Sequence, residues 1–273
     1  VTRGVLRRTP LAEPEGARPA LVATASTLVV FGALTLAVVS APGWPTVKRA
    51  FFDGTRFRES FPDVAHKFLL NLRIFLIAEA AVLVLGLVVA LMRILKGPVF
   101  TPLRILATVY TDVFRGIPTL LIVFVFGFGI PPTFQLDRPW NSPVFWGGVA
   151  LTLNTGAFVA EVFRSGIESV HASQLHAARS LGLTQLQSYR YVIVPQAVRR
   201  VVPPLISDAV ALLQGTALVS SLGVIEMLRT AQIDVGRNFN FTAYVAAAVV
   251  FLTLTVPLAR IADHLVRRQQ RDR

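Results

Sequence analysis

Six stretches of this chain are long and apolar enough to cross a bilayer, which takes about 20 residues per helix. They run from Leu21 to Val39, Phe68 to Leu91, Leu103 to Ile130, Val144 to Phe163, Val201 to Leu222 and Phe241 to Ile261. A lipid surround forces each backbone to satisfy its own hydrogen bonds, so stretches of this length are helices. The expected fold is therefore all-α and polytopic, with about six transmembrane helices. Composition agrees: of 273 residues, 53% are hydrophobic and 15% charged, against about 25% charged in a soluble domain. No internal repeat of 20 to 50 residues is visible.

Charge gives the orientation. The net charge of +12 comes mostly from arginine, with lysine only at Lys48, Lys67 and Lys96. In a soluble protein that excess would suggest nucleic acid. Here the arginines flank apolar spans and face lipid headgroups, so nucleic acid is not an expected partner and membrane lipid is. With the amino terminus inside, segments 1–20, 93–104, 164–200 and 260–273 hold about 17 Lys and Arg, against about 8 on the other side. Both termini and the 164–200 loop are thus expected in the cytoplasm. The basic 42–67 loop is the discordant piece.

The expected organisation is a basic cytoplasmic segment 1–20, a first helix 21–41, an extracytoplasmic loop 42–66, a core 67–263 and a basic tail 264–273. Val39-Ser40-Ala41 resembles a cleavage site, but the preceding apolar block exceeds the 7–15 residues of a signal core, which favours a retained span. Residues 42–66, aromatic, charged and punctuated by Pro and Gly, read as a loop with room for one interfacial helix.

The most informative polar segment is Ser173-Gln-Leu-His-Ala-Ala-Arg-Ser-Leu-Gly182, running on to Tyr-Val-Ile-Val-Pro195. Leu175, Ala178 and Leu181 recur at threes and form a small apolar face. Gly182 permits a left-handed turn. Thr184 with Gln187 three residues on predicts a capped second helix, ended by Pro195. Two short helices joined by a glycine elbow make a knob below the membrane. The same pattern also fits an amphipathic pair lying in the headgroup layer.

The segment His176-Ala-Ala-Arg-Ser-Leu-Gly182 through Ile193-Val-Pro195 resembles the Glu-Ala-Ala signature of permease subunits of bacterial ATP-binding-cassette importers. The resemblance covers about residues 66–263. Three further strings point to the polar amino-acid branch: Asp112-Val-Phe-Arg-Gly-Ile-Pro118, Gly156-Ala-Phe-Val-Ala-Glu161, and Pro195-Gln-Ala-Val-Arg-Arg followed by Pro203-Pro204. The resemblance implies that Gln174, His176, Ala177, Ala178, Leu181, Gly182 and Pro195 form a coupling helix that docks on a separate ATPase. It implies a second permease subunit, the same or a relative, and an extracytoplasmic substrate-binding protein. It also implies residence in the bacterial plasma membrane and a polar amino acid as cargo. Two departures stand out. The motif Glu is His176, and the branch's Lys-Asp-Thr-Ser-Leu is Gln214-Gly-Thr-Ala-Leu218 here.

Polar groups inside spans are costly and so usually face protein or water. Arg115 lies about 18 Å into the third span at 1.5 Å per residue. Pro118 frees the Phe114 carbonyl, so a broken helix is expected beside that arginine. Arg115 suits either a substrate carboxylate or an ion pair with Asp112, Glu161 or Asp208. Asn154, Glu161, Asp208, Gln214 and Thr216 are the other candidates for the substrate pathway, each also suited to an interhelical hydrogen bond. Glu79 is similar. The pairs Pro131-Pro132 and Pro203-Pro204 are expected at ends or kinks of spans.

Several classes are absent from the sequence. There is no G-x-x-x-x-G-K-[ST] phosphate loop, so this chain does not hydrolyse ATP, and the nucleotide belongs to the partner. No cysteine, no H-E-x-x-H, no G-x-S-x-G and only scattered histidines leave no basis for a metal site, a bound cofactor or an enzyme. The alternative function is a secondary transporter or channel that works without an ATPase.

Overall fold

The computed structural model describes residues 17–137 and 139–271, and every regular element among them is helical. The basic segment 1–16 and the last two residues of the tail lie outside the described residues. The chain forms two units, Val1–Phe52 and Asp53–Arg273. The first contains α1 (Ala17–Val39) and α2 (Trp44–Phe51). No residue of the Leu21–Val39 stretch is buried, so its surface is apolar all round, as expected of a helix solvated by lipid. Its hydroxyls turn inward: Thr27 and Thr35 donate to the carbonyls of Ala23 and Phe31 at 2.7 and 2.8 Å.

The second unit opens with α3 (Gly54–Ile94), whose first amides donate to the Asp53 carboxylate at 2.9 and 3.2 Å. A short 3-10 turn (Pro98–Phe100) leads to α4 (Thr101–Gly116), then α5 (Thr119–Phe124), a π-turn (Val125–Gly129) and α6 (Ile130–Thr133). Next comes α7 (Pro143–Glu168), capped by Ser142. Then follow α8 (Ala172–Ser180), α9 (Gln185–Ser188), a π-turn (Tyr189–Ile193), α10 (Val194–Gly215) and a 3-10 segment (Thr216–Leu222). α11 (Met227–Asn238) and α12 (Thr242–Arg271) end the described chain.

Five helical stretches are long and apolar enough to cross a membrane, and the bent pair Pro98–Gly116 with Thr119–Thr133 makes six. α3 and α7 form the spine. Lipid tails are as apolar as leucine, so such helices associate through close packing. A Cβ on Gly86 would sit 2.6 Å from Val159 Cγ1, and one on Gly156 would sit 2.9 Å from Leu85 Cδ2. Those two glycines set the approach of the helices. Around the spine, Ile74, Ala78 and Val82 pack with Ile122, Val123, Leu151, Leu212 and Val219. A second cluster joins Val64 of α3 to Met227 and Ala231 of α11 and Ala243 and Ala247 of α12.

Two expectations need correction and one is met. Within 42–66, α2 is the one helix the sequence left room for, but residues 54–66 are the first turns of α3 and not a loop, because Asp53 caps the helix and Ser60 and Val64 are buried at helical spacing. The third span breaks where Pro118 predicts, turning by 106° between α4 and α5. Pro195 does not end the second helix of the knob. In the π-turn before it, the Val194 amide donates to the Tyr189 carbonyl, five residues back. Pro195 then falls in the first turn of α10, where no amide is needed. Helix continues past Pro203 and Pro204, which lie inside α10.

Candidate functional site

The 171–195 segment folds as an elbow. α8 closes with the Leu183 amide on the Ala178 carbonyl at 3.3 Å and the Gly182 amide on the Arg179 carbonyl at 3.0 Å. That pair of bonds is a Schellman motif, and it places Gly182 at φ +82°, in the left-handed region open to glycine. α9 then starts with a full capping box. Thr184 Oγ1 accepts from the Gln187 amide at 3.3 Å, and Gln187 Oε1 accepts from the Thr184 amide at 2.9 Å. Of the predicted apolar face, Ala178 is buried and Leu175 half-buried, anchoring the elbow. Leu181 points out instead, 84% exposed, with Leu186 at 78%. Gln174, His176, Ala177, Gly182 and Pro195 are also exposed.

The break after α4 is held by one side chain. In an unbroken helix the Phe114 carbonyl would accept from residue 118, which is proline and has no N–H. Asn154 Nδ2 of α7 supplies the missing donor at 2.7 Å, while its Oδ1 accepts from Thr119 Oγ1 at 2.9 Å. Asn154, itself 4% exposed, thereby fastens both sides of the bend to α7. Tyr110 adds a second tie, donating to the Leu153 carbonyl at 2.6 Å.

Glu161 collects three arginines. Its carboxylate accepts from Arg93 at 2.6 Å and from Arg164, and faces Arg115 at 3.8 Å. Arg164 also meets Glu168 at 2.5 Å. Of the three, Arg115 is held most loosely. Its side chain is 40% exposed and its guanidinium lies 5.5 Å over the Phe158 ring. Asp112 and Asp208, the other partners open to Arg115 from sequence, are not in its ion pair. Asp208 Oδ2 and Glu79 Oε2 are buried without a hydrogen-bond partner among the described residues. Gln214 is exposed, whereas Thr216 is fully buried and donates to the Leu213 carbonyl at 2.6 Å.

Residues 82–271 match the family described as the binding-protein-dependent transport system inner membrane component. The chain belongs to that family. It is a multi-pass inner-membrane transport subunit. The chain is 38% identical over 198 residues to the Bacillus subtilis (strain 168) protein described as "Probable glutamine ABC transporter permease protein GlnM", covering 71% of this chain and 88% of that one. It is 32% identical over 205 residues to "Probable amino-acid permease protein YxeN" of the same organism, covering 75% and 90%. A solved amino acid ABC transporter with histidines superposes with a TM-score of 0.70 at 28% identity, covering 79% of this chain and 98% of that one.

The permease also holds a polar cluster that sequence reasoning missed. Glu226, fully buried, caps α11 by accepting from the Leu228 and Arg229 amides at 2.9 and 2.8 Å. Asn71 of α3 donates to Glu226 at 2.8 Å and to Thr216 at 3.1 Å, and accepts from the Met227 amide at 3.2 Å. One carboxylate and one amide thus bind α3, the 3-10 segment and α11 together. The positive end of α11 suits the charge. Asn71 falls in register with Ile74, Ala78 and Val82 on the buried face of α3, and that register was the one available signal. Glutamate is not among the preferred N-caps, so Glu226 gave none.

Proposed function

We propose that this chain is the permease of an ATP-driven importer of a polar amino acid, moved by a separate ATPase seated on the α8–α9 elbow. The observation that carries the reading is that elbow. It is a rigidly capped turn with Leu181 and Leu186 fully presented, on a chain of the binding-protein-dependent transport family. An exposed apolar tip on a fixed support is what a groove on a partner needs to grip. His176, Ala177 and Gln174 border the tip and complete the contact. The lysine and arginine bias puts the elbow in the cytoplasm, where ATP is available.

Cargo follows from the relatives, two of which are named for glutamine or amino-acid transport. A zwitterion needs a cation and an anion on its route. Arg115, loosely held by Glu161, suits the cargo carboxylate. Asp208, with an unused buried oxygen, and Gln214 suit its ammonium and amide groups. Asn154 and Thr216 act as fasteners along that route. ATP binding closes two ATPase subunits, each drives an elbow, and two permeases open the route toward a loaded binding protein. The ATPase bears differently on the two states, which is how its energy reaches a chain that binds no nucleotide.

Uptake of labelled glutamine into vesicles, with the permease, its ATPase and its binding protein reconstituted together, tests this. Leu181→Glu with Leu186→Glu is expected to release the ATPase on co-purification and abolish uptake. Arg115→Ala is expected to raise the glutamine KM severalfold. Full-rate uptake without any ATPase would mean a secondary transporter instead.

A further inference from the structure

An apolar groove of about 520 Å³ runs along α3 and α7, lined by Ile77 and Ala81 on one side and Phe145, Val149 and Leu153 on the other. Toward one end sit Leu70, Arg73 and Ser142. Arg73 is exposed, and among the described residues its guanidinium has no ion pair or hydrogen bond. None of the residues assigned to the cargo route lines the groove.

Its dimensions match one leaflet. From Arg73 to Ala81 along α3 is about 12 Å, and from Ser142 to Leu153 along α7 about 16 Å, at 1.5 Å per residue. Half of a roughly 30 Å hydrocarbon core is about 15 Å. Arg73 stands about 30 Å along α3 from Arg93, the thickness of the hydrocarbon core, and about 8 Å from the Phe68 end of the apolar stretch, within reach of the headgroups for a long side chain. The groove therefore runs from one headgroup level to the bilayer centre. Arginine at a headgroup level keeps its charge in the polar layer while its stem lies on apolar surface. A free guanidinium there matches phosphate oxygens two at a time.

We propose that this groove is a phospholipid site, with the phosphate on Arg73 and one acyl chain laid along α3 and α7 to the midplane. The site rests on the membrane family alone and is independent of the cargo and of the ATPase.

Native mass spectrometry of the purified transporter complex, titrated with dioleoylphosphatidylglycerol, tests it. Arg73→Gln removes the headgroup contact. Gly148→Leu fills the groove from a position where a Cβ meets nothing within 4 Å. One lipid bound per permease is expected, at least tenfold weaker in each variant and not displaced by excess inorganic phosphate. Undiminished lipid binding in both variants would overturn the site, as would displacement by phosphate alone. So would efficient cross-linking of two permeases through Val149→Cys, because a protein seam would then fill the groove.

Discussion

Asn154 returns to the chain at position 114 the hydrogen bond that Pro118 takes away. Asn154→Leu keeps the branched skeleton, with bulkier ends, and has no donor or acceptor, so it strands a part-buried carbonyl and leaves Thr119 without its acceptor. A loss of about 1–3 kcal/mol is expected, seen as a lower thermal midpoint of the purified complex. The Phe114 carbonyl was legible as an orphan because proline chemistry is local. Its partner was not, since 40 residues separate the two and nothing in a sequence reports which helices touch. Glu161 shows the same limit. Its pairing with Arg164 lies three residues apart on one helix face, but its pairing with Arg93 exists only because α3 and α7 pack in parallel. Glu161→Gln is expected to loosen all three arginines and lower the midpoint further than Arg115→Gln, which gives up one ion pair at 3.8 Å and the contact with the Phe158 ring. Equal midpoints for the two variants would show that Glu161 does not organise the cluster.

At the scale of elements, the elbow was the most legible part of the molecule and α3 the least. Gly182, Thr184 and Gln187 each have a local preference that agrees with its neighbours, and the fold adopts all three. Gly182→Val forces a β-branched residue into the left-handed region, at a cost of about 1–2 kcal/mol. The expected result is a permease of near-normal stability that no longer retains its ATPase, while Gly182→Asn retains it, because asparagine tolerates that backbone. Equal retention by both variants would mean that elbow geometry is irrelevant to docking. Residues 54–66 misled for a different reason. A charged, aromatic run beyond the membrane edge looks like a loop when hydropathy is the guide. Helix forms there because Ser60 and Val64 continue the buried face of α3 against α11 and α12, a tertiary reward invisible to local pattern. The π-turn ahead of Pro195 was hidden likewise. Proline normally signals a helix end, and here the ladder shifts by one residue to admit it.

Across the whole molecule, orientation decides whether elbow and ATPase can meet, and the absence of cysteine makes it measurable. A single cysteine at Leu186 is expected to react with a membrane-impermeant maleimide only in inverted vesicles, and one at Phe134 only in intact cells. Both positions are exposed, so reactivity reports the side of the membrane and not burial. The helical course of 54–66 bears on the discordant basic stretch as well. Arg56 is paired with Glu59 at 3.1 Å, and Asp53 and Asp63 lie on the same stretch. Pairing with carboxylates does not cancel lysine and arginine as orientation signals, so this stretch still competes with the 164–200 loop, which presents Arg179 and Arg190 on exposed positions. The labelling decides between the two. If Leu186→Cys were labelled from outside, the elbow would face away from every ATPase, and the Arg73 groove would belong to the inner leaflet.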